Sequence, residues 1–241
     1  MTPTEADYII VGGGLVGCAL ASCLKQGKAS LSVLLVEAGC DPSGNPHITS
    51  PMGSFALLNS ELDWNYTTTP QEHTNNRAQA ENAGKALGGG SIINWGGWSR
   101  GDASDYDEWA RIVGDECWSY KGMLPYFRKS EHHFDPKANP QIHGLNGPIH
   151  VTSVSSSDPR RLYGLREPIR AAFMELGFLQ NNDSNGSIAG ISEWVENWHN
   201  GLRQASSTAY GLKGVQIITN TVVHRIVFTK NSDGKQVASA V

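Results

Sequence analysis

The sequence predicts an α/β fold with a Rossmann-like core, and three observations carry that prediction. Tyr8-Ile9-Ile10-Val11 is a short apolar run of the kind that forms a buried strand. Gly12-Gly13-Gly14-Leu15-Val16-Gly17 follows it directly and opens a helical stretch reaching Leu24. A second apolar run, Ser32 to Val36, then ends on Glu37.

Each part of this strand–turn–helix–strand–acid unit has a physical reason. Gly12 permits the tight turn, Gly14 lets backbone approach a pyrophosphate, and Gly17 lets the helix lie close on the strand. The helix N-terminus at Leu15 and Val16 offers free N–H groups and a positive dipole end to phosphates. Glu37 is placed to accept hydrogen bonds from ribose hydroxyls. The unit predicts dinucleotide binding. By itself it does not separate a flavin from a nicotinamide dinucleotide, and its bland alternative is a structural turn with Glu37 solvated.

The chain has 241 residues, enough for one large domain or two small ones. A net charge of −4 leaves no basic footprint, so nucleic acid is not an expected partner. No apolar run approaches the roughly 20 residues of a membrane span, so no membrane association is expected. Residues 1–7 are polar and lead straight into a strand, which reads as no signal peptide and a cytoplasmic setting. Cys18, Cys23, Cys40 and Cys117 form no CxxC pair and read as free thiols in a reducing compartment.

Past Glu37, turn formers run to Pro46, and Asp63 to Thr69 reads as a strand. The second glycine cluster spans Gly84 to Trp98. Helices are expected at about 104–113 and 119–130, and a short strand near Pro148 to Val151. Ile169, Ala172, Phe173 and Leu176 share one face of a helix over about 166–176. A helix from Gln204 to Leu212 follows, then strands at 215–218 and 222–228. The turn Asn231 to Gly234 closes a hairpin with Val237 to Val241. With strands at 8–11 and 33–36 and only a hairpin at the end, the sheet looks incomplete, so the chain reads as the front part of something larger. The histidines sit in loop-like or adjacent positions; no metal site is expected, and no catalytic role is assigned to His132, His133, His143, His150 or His199.

The segment from Gly84 to Asp107, GKALGGGSIINWGGWSRGDASDYD, resembles the first signature of the glucose–methanol–choline (GMC) oxidoreductase family. Asp7 to Gly14 and Leu35 to Gly39 are similar to the family's first strand and second strand end. Trp118-Ser119-Tyr120, Leu124 to Phe127, Lys129-Ser130-Glu131, His143-Gly144, Gly147-Pro148, His150-Val151, Arg203, Ser206-Ser207, Ala209-Tyr210 and Val222-Val223 follow in the family's order. The resemblance covers nearly the whole chain. It implies an FAD-binding domain of GMC type over 1–155, then 156–241 as the start of an α+β substrate domain together with the return hairpin.

The resemblance also implies the cofactor contacts. They are Gly12, Gly14, Leu15, Val16, Gly17, Glu37 and Ala38 in the first unit, then Leu87, Gly89, Ser91, Asn94 and Trp95, with Val223 giving backbone contacts at the adenine end. Gly88, Gly89 and Gly90 form a loop of exposed N–H groups free of side-chain clash. Ser91 is suited to cap the following turn and to bond the cofactor. Asn94 is expected beside the reactive edge of the flavin, its alternative being a cap or turn residue. Trp95 and Trp98 either line the pocket or pack beneath it. Some family members attach FAD through a histidine just before this asparagine; Ile93 stands there, so FAD is expected to be non-covalent.

The implied chemistry is oxidation of a small-molecule alcohol, with a hydride passing to flavin N5 while a histidine takes the hydroxyl proton. No residue of this chain matches that histidine, which lies near the C-terminus of the family's longer chains. No catalytic residue is therefore identifiable, and a C-terminal complementing chain is the expected partner. The alternatives are a lyase or cyclase on the same scaffold without net redox, or an inert FAD-binding remnant.

Overall fold

The structure, a computed structural model, describes residues 5–50, 52–135, 138–157, 161 and 163–241. Two compact units emerge: Met1–Trp95 with Ala205–Val241, and Gly96–Gln204. The boundary expected at 155/156 falls inside the second unit. The chain leaves the first unit after Trp95, within the second glycine cluster, and re-enters it at Ala205, so one unit is built from two separated segments.

In the first unit, strand β1 (Tyr8–Val11) runs into helix α1 (Leu15–Gly27) and strand β2 (Val33–Val36). β1 pairs parallel to β2 in the register Tyr8↔Val33 to Val11↔Val36. The strand Gln216–Ile218 pairs parallel on the other side of β2, from Gln216↔Leu34 to Ile218↔Val36. The strand expected at 215–218 is thus the third strand of this sheet. β2 lies in the middle, and all four of its residues are buried, each worth roughly 1.5–3 kcal/mol when a full side chain leaves water. Tyr8, Ile9 and Val11 on β1 are exposed along the sheet edge.

Helix α1 covers this sheet with Cys18 and Ala21, which join Ile10, Val33, Leu35 and Leu87 in one apolar cluster. A second cluster joins Ile48, Leu57, Leu62, Ala86, Ile92, Ile93 and Ala205. The expected strand over 63–69 shrinks to Tyr66–Thr67 paired with Ala80–Glu81. The expected helix from Gln204 to Leu212 is only Ser206–Ala209. The strand expected from 222 begins at Val227, because residues 220 and 221 are held across the end of β2: Asn220 N–H donates to Gly39 O at 2.8 Å and Thr221 N–H to Glu37 O at 3.0 Å. Val227–Lys230 and Gln236–Ala240 then form the expected antiparallel hairpin.

The second unit holds the helices Ala103–Val113 and Tyr120–Ser130. Asp102 caps the first by accepting from Ser104 N–H, and Gly114 ends it in the left-handed region at φ 72°. Ser119 caps the second by accepting from Gly122 N–H. Glu131–His133 pairs parallel with Ile149–Ser153, which pairs antiparallel with Val195–Glu196. Trp198–His199 and Leu202–Arg203 make a short hairpin. The helix Arg166–Glu175 lies where its apolar spacing predicts, but Ile169, Phe173 and Leu176 face outward. Among the described residues no helix is long and apolar enough to cross a membrane, and all four cysteines are free.

Candidate functional site

The glycine turn after β1 adopts the backbone its sequence calls for. Gly12 has φ 91°, and its N–H donates to Val36 O at 2.8 Å. A Cβ on Gly17 would sit 2.0 Å from Gly12 O, so only glycine lets α1 begin so close to the turn. Gly14 is the N-cap of α1 and no side chain caps it. A Cβ on Gly12 or on Gly14 would meet open space, and Leu15 and Val16 in the first turn are exposed, Val16 by 78%. The first turn of α1 therefore presents its N–H groups outward, which is the donor set an anion needs.

Glu37, 6% exposed, anchors this turn from the end of β2. Gly13 N–H donates to its Oε2 at 2.7 Å and Gly39 N–H to its Oε1 at 2.8 Å. Each carboxylate oxygen keeps a further lone pair for a hydroxyl. Ala38 beside it is half-buried. Gly39 is a glycine for a steric reason, since a Cβ there would lie 1.9 Å from Lys85 O.

The second glycine cluster meets the first. Gly88 N–H donates to Gly13 O at 2.7 Å, and a Cβ on Gly89 would sit 2.6 Å from Gly14 Cα. Gly88 and Gly89 hold φ of 107° and 52°. Leu87, 5% exposed, seats this loop in the core beside Leu35. Ser91 opens a short helical turn, Gly90–Ile93, and its hydroxyl is occupied: Oγ donates to Gly88 O at 2.6 Å and accepts from Ser206 N–H at 2.9 Å. Both bonds brace the glycine loop. Cys18 Sγ reaches Gly13 O at 3.2 Å, and burial pushes its thiol pKa up.

Asn94 closes the short turn; its carbonyl accepts from Ser54 Oγ at 2.5 Å and its N–H donates to Gly90 O at 3.0 Å. Trp95 is half exposed and meets Phe55 edge-on at 4.2 Å. Val223 is half-buried in the extended segment that follows Thr221. The structure thus gathers Gly12 to Gly17, Glu37, Ala38 and Leu87 to Ser91 in one cradle, with Asn94 and Trp95 at its far end. Ser206, Gly39 and Thr221 are the parts that sequence reasoning left without a role. Ser206 and Gly39 had one signal, their place in the family-like order; Thr221 depends on how the return segment crosses β2.

The second unit carries a buried charge network that the sequence reading of its histidines did not anticipate. Arg100 pairs with Glu131, and its other terminal nitrogen donates to Ile142 O at 2.7 Å. His143, 3% exposed, lies between two carboxylates, with Nδ1 at 3.1 Å from Glu131 Oε1 and Nε2 at 2.7 Å from Asp183 Oδ2. Burial alone would lower the His143 pKa, but the bonds to Asp183 and Glu131 outweigh it and raise it to about 9. Burial would likewise raise Asp183, yet the bond from His143 and the N–H of Asn185 bring it to about 2. Two cations thus face two anions. Glu131, His133 and His143 are close enough to resemble a metal cluster. With Arg100 on Glu131 and both ring nitrogens of His143 engaged, the group is an ion-pair network in character.

A family model described as GMC oxidoreductase matches residues 6–241. The GMC-type oxidoreductase acuG of Aspergillus aculeatus is 42% identical over 236 residues, covering 98% of this chain and 40% of that protein. The oxygen-dependent choline dehydrogenase of Paraburkholderia phytofirmans is 36% identical over 245 residues, covering 95% of this chain and 41% of that one. Among solved structures, pyridoxine 4-oxidase from Mesorbium loti superposes with a TM-score of 0.84 at 29% identity, covering 97% of this chain and 48% of its own. The chain thus spans about 40% of the length of the curated relatives it matches.

Proposed function

The chain belongs to the GMC oxidoreductase family, and on that premise we propose that it is the FAD-binding portion of an FAD-dependent oxidoreductase acting on the CH–OH group of a small alcohol. One observation carries the reading: the two glycine loops, far apart in sequence, are joined by the 2.7 Å bond from Gly88 N–H to Gly13 O. The cradle fits a diphosphate-bridged dinucleotide. The uncapped first turn of α1 offers amide donors, the space at Gly12 and Gly14 is open, and Glu37 holds free lone pairs beside it. Relatives named for choline and pyridoxine support a small hydroxylated substrate.

Bound FAD supplies a two-electron acceptor. The residues of this chain do the rest of what is assigned to them. The amides of Leu15 and Val16 neutralise phosphate charge, and Glu37 accepts from sugar hydroxyls while fixing Gly13. Ser91 and Ser206 lock the Gly88 loop, so the donors are placed before the ligand arrives. Ile93 is apolar and buried, so the flavin is held without a covalent bond. The proton acceptor is assigned outside these 241 residues; the support is that relatives are matched over only about 40% of their length.

The test is FAD added to the purified chain. Binding to the native state alone raises stability by about 2.7 kcal/mol when FAD is at 100 times its Kd. After denaturation and ultrafiltration, all flavin passes the membrane. A chain whose unfolding ignores FAD refutes the cofactor assignment. Flavin that loads but is never reduced by any alcohol, even with the C-terminal portion of a relative supplied, refutes the oxidoreductase part.

A further inference from the structure

The second unit also carries a group of imidazoles that the proposed chemistry does not use. His150, on the strand Ile149–Ser153, and His199, on Trp198–His199, are joined by a hydrogen bond of 2.7 Å between their Nδ1 atoms. His132 is the register partner of His150 on the neighbouring parallel strand, with ring centroids 5.0 Å apart. Phe134 stacks on His132 at 4.4 Å and lies 4.7 Å from the ring of His150 and 5.4 Å from that of His199. The backbone follows the same seam: His150 N–H donates to Gln204 Oε1 at 2.8 Å, and Gln204 N–H to Asn197 O at 3.3 Å.

A bond between two Nδ1 atoms limits the charge that the pair can hold. One ring donates its Nδ1 proton and the other accepts on a bare Nδ1, so the accepting ring is neutral, with its proton on Nε2. This holds whichever ring is the donor. A first added proton goes to the Nε2 of the donor ring, and the imidazolium then donates a stronger, charge-assisted bond to its partner. The Asn200 amide, 3.2 Å from His199 Nε2, turns its oxygen or its nitrogen to that atom as its protonation requires. A second added proton has only the shared lone pair to occupy. Two N–H groups would then point at each other across 2.7 Å, and the bond breaks.

Among the described residues, the charged groups around the pair do not compensate a second positive charge. The electrostatic neighbours of His150 are His199 and His132, and with burial they hold its pKa below the ordinary imidazole value of 6.5. On the strands alongside, Glu131 is committed to Arg100 and His143, and Glu196 to Arg161. Asp135, next to Phe134, acts on His133. Arg203, on the other strand of the hairpin, is a further cation.

We propose that His150 and His199 form an acid-operated clasp: one shared proton fastens the strand Ile149–Ser153 to the Trp198–Arg203 hairpin, and a second positive charge on the pair releases it. The fold binds that last proton less readily than the unfolded chain does. The clasp therefore contributes stability above about pH 6.5 and loses it as pH falls below that value. The direction is opposite to that of His143, whose raised pKa makes its contribution fade on the alkaline side. The two histidine groups thus bound, from opposite sides, the range of pH in which the second unit is held fully closed.

The experiment is amide hydrogen exchange on the full chain, read as protection factors at a series of pH values between about 7.5 and about 4.5. The amides of His150 and Gln204 are expected to lose protection by about tenfold per pH unit in the acid part of the series, the slope that one linked proton sets. Those of the helix Ala103–Val113 keep theirs. His199→Phe keeps a ring against Phe134 and takes no proton, so its profile is expected to be flat. His73→Gln, at an exposed histidine elsewhere, keeps the slope. Unchanged protection in the unmodified chain, or the same slope in His199→Phe, overturns the clasp. Should the phenylalanine variant not fold, nitrogen-15 spectra of the imidazoles in the unmodified chain decide. At about pH 7.5, one ring protonated on Nδ1 and the other on Nε2 supports the clasp, and any other pairing refutes it.

Discussion

Replacing His143 with glutamine removes the cation that sits between Glu131 and Asp183, and the structure sets how much that matters. In the folded chain the imidazole pKa is about 9 against an unfolded value near 6.5. A raised pKa stabilises the fold at pH values below the unfolded pKa, and the benefit fades as pH rises through the folded one. A displacement of about 2.5 units corresponds to about 3 kcal/mol. The side chain is 3% exposed, so solvent screening does not discount it. The carboxylate of Asp183, held at about 2, reports the same interaction from the other side and is not added. Its share is present above the unfolded value near 3.8 and disappears as pH falls through about 2.

Urea unfolding at a series of pH values reads this directly. The unmodified chain is expected to lose about 3 kcal/mol between about pH 6.5 and 9. His143→Gln is expected to be weaker by about 3–5 kcal/mol at about pH 6, because Asp183 and Glu131 keep their burial and lose their partner. Its own stability then stays nearly level across the same alkaline window. If the glutamine variant declines with pH as steeply as the unmodified chain, His143 is not the titrating group and the charge network has been misread.

Other expectations follow from the cradle. Gly17→Ala would gain about 1 kcal/mol from helix propensity, but its Cβ would stand 2.0 Å from Gly12 O, and that clash dominates; net destabilisation in thermal unfolding is expected, with FAD binding lost. Glu37→Gln keeps one acceptor for two N–H donors and turns an NH2 toward the other, costing about 1–3 kcal/mol in urea unfolding and weakening FAD in a fluorescence titration. Ser91→Ala leaves the buried Ser206 N–H without its acceptor, a loss of about 1–3 kcal/mol. In that variant FAD affinity falls as the loop loses its brace; unchanged affinity would argue that the Gly88 loop needs none.

How legible this protein is from its letters differs from element to element. β1, α1 and β2 lie where the apolar runs and glycines put them, because strand and helix periods and the steric demands of a tight turn are local. The capped helices at Ala103–Val113 and Tyr120–Ser130 are local in the same sense. The helix expected over Gln204 to Leu212 is only Ser206–Ala209; Ser206 is held to the second glycine loop by its N–H to Ser91 Oγ and its hydroxyl to Gly88 O, bonds that no periodicity records. The brace between Ser91 and Ser206 is hidden for the same reason: a serine after three glycines reads alike whether its hydroxyl faces solvent or Ser206.

The sequence by itself determined the chemistry at each turn: which glycines must be glycine, which carboxylate ends the second strand, and which family pattern the chain follows. Tertiary structure alone decided the pairings across long separation. It brought Gly88 onto Gly13, set Gln216–Ile218 beside β2, and placed Glu131 and Asp183 on either side of the buried His143. The physical reason is that a turn is fixed by sterics within a few residues. A hydrogen bond or ion pair between distant segments exists only once the core has chosen their relative placement.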